Sequence, residues 1–295
     1  MAKLLTGKEV ASALSDRIAE RVGVLKKKNI LPCLAILRCG ENKSDISYEK
    51  AIIKKAELLG ISTKPIFLPE AVKKEELIEA IGEINRDTGV HGLIMFRPLP
   101  KGLREYEHLI TQGLNPLKDM DGMIDASVAM VYTGRGAGFP PCTAEACIEL
   151  LDYYGIGLEG KNVVVIGRSL VIGKPVAMLM MARNATVTIC HSKTRHLNEI
   201  TARADIIVST AGVLALLKKE ALRPGQVVID VSVNWDPEKN GGKGGMAGDV
   251  LFEEAEPIVE AITPVPGGVG SVTTAVLLSH LITSAEKAMA VGERL

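Results

Sequence analysis

The segment Val163–Pro175, VVVIGRSLVIGKP, constrains this chain more than any other. Val163, Val164, Val165 and Ile166 form a β-branched apolar run, the pattern of a buried parallel strand. They lead into a turn at Gly167-Arg168-Ser169, and Gly173-Lys174-Pro175 then opens an apolar helix through Met178, Leu179 and Ala182. A glycine turn between a strand and a helix lets backbone N–H groups approach a pyrophosphate, whose charge the helix dipole favours. The spacing departs from G-x-G-x-x-G: Ser169 stands at the second glycine, and Gly173 follows Gly167 by six residues instead of five. The strand–turn–helix setting therefore carries more of the reading than the pattern itself. The alternative is a glycine turn in an α/β protein that binds no nucleotide.

The next strand, Ala185 to Cys190, sharpens that reading. A dinucleotide site usually has an acidic residue at this strand's end to bond the ribose hydroxyls. Here the chain continues His191-Ser192-Lys193-Thr194-Arg195, without a carboxylate. Hydroxyl and cationic groups there, with Arg168 in the turn, suit a 2′-phosphate. The expected cofactor is NADP rather than NAD, contacted by Gly167, Arg168, Ser169, Gly173, His191, Ser192 and Lys193. The alternative is a solvated basic loop.

A chain of 295 residues has room for two domains with separate cores. It is 47% hydrophobic and 24% charged with a formal net charge of zero, which fits a soluble globular protein and argues against a nucleic-acid or membrane surface. No apolar run is long enough to span a bilayer, and the first residues are too short for a signal peptide. Cys33, Cys39, Cys142, Cys147 and Cys190 are odd in number and lack C-x-x-C spacing. They read as reduced thiols of a cytoplasmic protein with no metal site.

Strand and helix patterns alternate, as in α/β folds with parallel sheets. Strands are expected at Leu31–Arg38, Thr63–Leu68 and Gly92–Phe96, with helices at Ser44–Leu59 and Lys73–Asn85. A loop region then runs through Gly138, and Thr143 is a plausible N-cap for a helix over Ala144–Tyr154. A second alternation holds strands at 163–166, 185–190, 205–209 and 226–231. The expected division is an amino-terminal domain, 1–142, and a Rossmann-like parallel-sheet domain, 143–270. A last helix over 271–295 is expected to return to the first.

Two further loops stand out. Lys118-Asp119-Met120-Asp121-Gly122 places two carboxylates in a short turn; an Asx turn with solvated acids is the alternative. Thr263-Pro264-Val265-Pro266-Gly267-Gly268-Val269-Gly270 combines stiff prolines with glycines that permit close backbone approach to a ligand. A tight interdomain connection would read the same way.

In this order, RPLP, KDMDGM, PCTAEA, GRSLVIGKP, CHSKT and ITPVPGGVG are similar to the bifunctional methylenetetrahydrofolate dehydrogenase/cyclohydrolase family. The likeness covers nearly the whole chain. It implies a two-domain α/β subunit with an interdomain cleft, usually a homodimer, acting on a tetrahydrofolate derivative in one-carbon metabolism that includes purine biosynthesis. It makes residues 1–142 the folate-binding catalytic domain and 143–270 the NADP-binding domain. It places the pterin-binding aspartate on Asp121, a carboxylate able to accept two parallel hydrogen bonds. Tyr48, Pro264, Gly267 and Gly268 are the other implied substrate contacts, and Thr273 joins the cofactor contacts.

The departures bear on chemistry. The family's Tyr-x-x-x-Lys reads here as Tyr48 followed by Ile52 at the lysine position, and its V-Q-L-P-L-P reads Met95-Phe96-Arg97-Pro98-Leu99-Pro100, so Phe96 replaces the site glutamine. The proline after P-C-T is Ala144, and Ser271-Val272 stands for Pro-Met. Losing one member of a buried polar pair strands the other at about 1–3 kcal/mol, whereas replacing both avoids that cost. Hydride transfer needs mainly alignment of two rings, while adding water to the methenyl cation and cleaving a C–N bond needs a general acid/base. The expected protein is an NADP-dependent dehydrogenase with weak or absent cyclohydrolase activity. Two alternatives stay open: a bifunctional enzyme using Lys55, one turn beyond Ile52, and a folate- or NADP-binding protein without turnover. For Tyr48 the alternative to a folate contact is a core tyrosine.

Overall fold

A computed structural model of the chain describes residues 1–292. Two compact units emerge: one comprises Met1–Ser12 with Thr143–Thr273, the other Ala13–Cys142 with the residues from Thr274 onward. Residues 293–295, which the sequence reading includes in the last helix, lie outside the described residues.

The unit built on Ala13–Cys142 contains three parallel strands in the spatial order Ser62–Leu68, Cys33–Cys39, Gly92–Met95. Leu34, Ala35, Ile36 and Leu37 on the central strand are wholly buried, as an apolar run covered on both faces must be. The helix Lys74–Arg86 buries Leu77, Ile81 and Ile84, spaced to share one face. At that helix's end Lys118 Nζ donates to the carbonyls of Ile84, Asn85 and Asp87 at 2.7, 3.2 and 2.8 Å. The amine thus offsets the negative end of the helix dipole, while burial holds its pKa below the usual lysine range.

The expected loop through Gly138 holds a 3-10 turn at Lys101–Tyr106 and helices at Glu107–Thr111 and Asp125–Thr133. The first helix is too short to show a period, and Asp125–Thr133 buries only Ser127, so neither leaves an apolar stripe to read.

The other unit has six parallel strands in the order Lys3–Leu4, Ala261–Ile262, Val227–Asp230, Ile206–Ser209, Asn162–Ile166, Thr186–Cys190. Its core includes Val164, Ile166, Ile207, Val228 and Ile262. The first twelve residues, assigned from sequence to the amino-terminal domain, instead lend an edge strand to this sheet: Lys3 and Leu4 pair with Ala261 and Ile262. Two residues are too few to show alternation. Thr143 is not an N-cap, because the helix starts one residue earlier and runs Cys142–Tyr153. Val269–Ser271 forms a 3-10 turn, so the final helix begins at Thr273 rather than Ser271. Among the described residues no helix is long and apolar enough to cross a membrane, and no group of three His, Cys, Asp or Glu side chains could hold a metal ion.

Candidate functional site

Both sheets reverse their winding. Within each unit's main alternation, the second strand lies on one side of the first and the third on the other. In open α/β sheets the carboxyl ends of strands flanking such a reversal leave a crevice where ligands bind. The reversal falls between Asn162–Ile166 and Ile206–Ser209 in one unit, and between Cys33–Cys39 and Gly92–Met95 in the other.

At the first reversal, Gly167 follows its strand with φ +126°, and an added Cβ would fall on the Thr210 hydroxyl and within 2.8 Å of the Thr210 carbonyl oxygen. No L side chain fits that backbone. Thr210 follows the neighbouring strand and bonds across the reversal, its N–H and hydroxyl donating to the Ile166 carbonyl at 2.7 and 3.0 Å. Ser169 caps the helix Gly173–Met181: its Oγ accepts from the amides of Ile172 and Gly173 at 3.1 and 3.3 Å, and its carbonyl from the Lys174 amide at 3.0 Å. Ser169 thus takes up three backbone amides, two with its hydroxyl and one with its carbonyl. The exposed turn Arg168–Val171 presents the remaining backbone donors. His191 lies at the end of Thr186–Cys190, its Nδ1 accepting from the Lys193 amide at 3.1 Å and its own amide donating to Thr194 Oγ1 at 2.8 Å. Ser192 and Lys193 are exposed beside it.

In the same unit the Pro264–Gly270 loop is held by its own packing. Gly267 has φ +108° and its carbonyl accepts from the Gly7 amide at 2.8 Å. Gly268 is buried, and a Cβ there would come within 2.7 Å of the Pro264 carbonyl oxygen. Thr273 Oγ1 donates to the Gly270 carbonyl at 3.1 Å. A cavity beside the loop is lined by Leu214, Asp230, Gly248, Thr263 and Val265, among others.

At the second reversal, the Phe96 amide donates to the Leu37 carbonyl at 3.0 Å, extending the pairing one residue past the strand. The Phe96 ring lies 5.7 Å from the Tyr48 ring at a 52° tilt. Ile52 is fully buried, Phe96 is buried, and Lys55 is half-buried on the same helix, Lys43–Leu58. One turn before Ile52, buried Glu49 accepts from Arg38 Nε at 2.7 Å, and the Arg38 guanidinium lies 4.7 Å from the Phe67 ring centre. Ile52 and Phe96, which the resemblance sets against a lysine and a glutamine, are both buried apolar side chains, and Phe96 lies against Tyr48.

The two acids of the Lys118–Gly122 turn separate cleanly. Asp119 is fully buried: it accepts from Ser127 Oγ at 2.6 Å and from the amides of Met123 and Ile124 at 3.0 and 3.1 Å. Burial nevertheless holds its carboxyl above the usual range against those donors. This is an internal anchor and not the solvated Asx turn offered as the alternative. Asp121 is half-buried, and its Oδ1 accepts from the Cys142 amide at 3.0 Å, the first residue of the helix Cys142–Tyr153. A carboxylate at that helix's positive end takes the place assigned to Thr143. Its Oδ2 faces Arg97 Nη2 at 3.4 Å, and Arg97 Nη1 lies 3.6 Å from Glu107 Oε1. Arg97 is a site residue that sequence reasoning passed over. Its signal was available, since it stands where the resemblance has leucine, one residue after Phe96.

Two doubly wound parallel sheets, one opening on a glycine turn that admits no side chain, define a two-domain α/β protein of the nucleotide-dependent oxidoreductase type. Residues 5–121 match the tetrahydrofolate dehydrogenase/cyclohydrolase catalytic domain and residues 141–289 the tetrahydrofolate dehydrogenase/cyclohydrolase NAD(P)-binding domain. The chain belongs to this family. It is 47% identical over 287 residues to the bifunctional protein FolD of Clostridium botulinum, covering 97% of this chain and 99% of that one. The crystal structure of the bifunctional FolD methylenetetrahydrofolate dehydrogenase/cyclohydrolase from Campylobacter jejuni superposes with a TM-score of 0.91 at 36% identity, covering 97% and 99% of the two chains. That of Trypanosoma brucei FolD, complexed with NADP cofactor and inhibitor, gives 0.89 at 34% identity, covering 98% of each.

Proposed function

We propose that this protein oxidises 5,10-methylenetetrahydrofolate to 5,10-methenyltetrahydrofolate with NADP, and that its cyclohydrolase activity is weak or absent. The observation that carries the second half is Ile52, fully buried and apolar where the family's acid/base lysine stands, with Phe96 packed on Tyr48 where the glutamine stands.

The residues at the first reversal fit the cofactor. Gly167 lets the turn pack directly on Thr210, which sets the exposed backbone of Arg168–Val171 at the strand end where a pyrophosphate would approach. Arg168, Ser192 and Lys193 are exposed cationic and hydroxyl groups suited to a 2′-phosphate, beside a strand end without a carboxylate. NADP, when bound, supplies the hydride acceptor. The protein's own contribution is binding and orientation: Asp121 accepts hydrogen bonds from the pterin, and the Tyr48 ring offers a face for the folate's aromatic part. Oxidation of the methylene bridge leaves a resonance-stabilised cation, so no side chain at Ile52 has to take a proton. Hydration of that cation requires proton transfer, which neither isoleucine nor phenylalanine performs.

The test follows methylenetetrahydrofolate and NADP with purified protein, reading NADPH and methenyl absorbance separately. Methenyl product accumulating in step with NADPH is the expected result. NADPH formation with methenyl held at its spontaneous hydrolysis level would overturn the monofunctional reading. The relatives' name, bifunctional, favours that second reading. Its candidate acid/base is half-buried Lys55, to be tested with Lys55→Met. Absence of NADPH formation with NADP and of NADH formation with NAD would leave a protein that binds without turnover.

A homodimer is the proposed assembly, and a single-chain mass by sedimentation equilibrium would overturn it. The proposed location is the cytoplasm, consistent with Cys33, Cys39, Cys142, Cys147 and Cys190 all being free thiols.

A further inference from the structure

The pairing of Arg97 with Asp121 has no role in the chemistry described so far. Phe96 and Arg97, consecutive residues just past the strand Gly92–Met95, reach different partners, Phe96 the Tyr48 ring and Arg97 the carboxylates of Asp121 and Glu107. Its distances to those carboxylates, 3.4 and 3.6 Å, exceed the 2.7–2.9 Å or so of a tight charge-assisted hydrogen bond. The guanidinium stands between two acids without closing a bidentate fork on either. A guanidinium presents five N–H donors in one plane, so these two long contacts leave it capacity for a further acceptor. The other oxygen of Asp121 is engaged by the Cys142 amide.

The substrate's chemistry supplies that acceptor. The pyrimidinone edge of a tetrahydropterin carries a 2-amino group and an N3–H, both donors, and next to them the C4 carbonyl, an acceptor. A carboxylate satisfies the donors only. The carbonyl needs a donor of its own, because an unpaired polar group in a water-poor site costs about 1–3 kcal/mol. Ile52 and Phe96 have none. We infer that Arg97 donates to the C4 carbonyl of the folate ring, so that Asp121 and Arg97 together read a donor–donor–acceptor edge. This rests on the folate reading of the Asp121 site. Glu107 is a positioning residue that holds the guanidinium from its far side.

The experiment is a cycle between protein and ligand, read by calorimetric binding without NADP. The ligands are tetrahydrofolate and its 4-thioxo analogue, which keeps the N3–H and 2-amino donors while weakening the acceptor. Wild-type protein should prefer the 4-oxo ligand at least ~10-fold, because a site built to bond a group rejects the analogue that lacks it. In Arg97→Leu that preference should fall below about threefold, and tetrahydrofolate binding should weaken ~10-fold or more with NADP binding unchanged. Arg97→Lys, which keeps a cationic donor, should retain most of the preference. Should Arg97→Leu fail to fold, Arg97→Met serves, because it keeps much of the side chain's length and carries no donor. A preference that survives Arg97→Leu or Arg97→Met overturns the role of Arg97 alone. Wild-type protein that binds NADP but not tetrahydrofolate overturns the folate reading, and this inference with it.

Discussion

In the unit built on Ala13–Cys142, Ile52 and Phe96 are buried hydrocarbon at the positions that the resemblance sets against a lysine and a glutamine. In the unit built on Thr143–Thr273, Asp230 and Asp249 stay buried as acids. The difference lies in who their partners are. The resemblance gives lysine and glutamine to each other, side chain to side chain, and such a pair can leave the interior together without stranding either group. Asp249 accepts from the amides of Ala211, Gly212 and Val213 at 2.8, 3.3 and 2.8 Å, as well as from Ser209, Ser232 and Asn234 side chains. Asp230 accepts from the amides of Asp249 and Val250 at 3.1 and 2.8 Å. A backbone amide cannot be substituted away, so a carboxylate that satisfies several is locked in place. The folate-side unit is thereby open to a change of chemistry on an unchanged fold, and the nucleotide-side unit resists one.

Asp249→Ala should show the largest effect. It would strand the amides of Ala211 and Val213 and the buried Ser209 hydroxyl at about 1–3 kcal/mol each, while Gly212 keeps Ser232 Oγ, so urea denaturation should register a loss of about 3–9 kcal/mol, comparable to the whole stability of many domains. A loss below about 2 kcal/mol would break the comparison. Next comes restoring the side-chain pair. Ile52→Lys alone places an ammonium in a fully buried position and should destabilise the protein by several kcal/mol. Ile52→Lys with Phe96→Gln returns its partner, and methenyl hydrolysis should then rise by about 10²–10⁴, the usual worth of a general acid/base. A double variant no more active or stable than the single would show that the pocket has drifted too far to be reversed.

These contrasts were unevenly legible in the sequence. Val163–Ile166 and its glycine turn were readable because four β-branched residues and a breaker leave few other structures. The resemblance offers Ile52 and Phe96 as departures, and the fold adds that both are buried, with Phe96 against Tyr48. Asp119 and Asp121 were not separable, because which acid turns inward depends on Ser127 and on the amides of Met123 and Ile124, partners that only the fold brings together. Ser169 stood among the expected cofactor contacts, but its work as a helix cap depends on the turn closing back on Ile172 and Gly173. Asp249 gave no signal, since an aspartate beside a glycine reads as a turn on the surface.

A pH titration tests the buried acids of the nucleotide-side unit in a second way. Burial pushes the Asp230 carboxyl up from 3.8 to about 7; nearby Asp249 adds to the rise, and the amides of Val250 and Asp249 oppose it. The folded state therefore holds a proton that the unfolded state releases between those two values. Stability from this group is fully present below about pH 4 and is lost as pH rises toward 7, with no further change above. The shift corresponds to about 4 kcal/mol. Asp230→Asn should remove that falling slope between pH 4 and 7, measured by denaturant titration at fixed pH points. An unaltered slope would mean that Asp230 is ionised in the folded protein throughout.

The smallest effect should come from an aspartate in the same unit whose geometry looks better than that of either buried acid. Asp152 receives both of its hydrogen bonds from Arg183 Nη1, at 2.7 and 2.9 Å, and the ion pair holds the arginine's pKa above its ordinary value. Both side chains are nearly half exposed, at 47% and 48%. Water and salt there replace whatever either partner loses, so Asp152→Ala should cost less than about 1 kcal/mol and close to nothing at about 1 M salt, where screening reaches within about 3 Å. Set against Asp249→Ala, the same substitution in the same unit should differ by about threefold or more in cost. A loss above about 2 kcal/mol for Asp152→Ala would show that short distances, and not unreplaceable backbone partners, decide which acids this protein must keep.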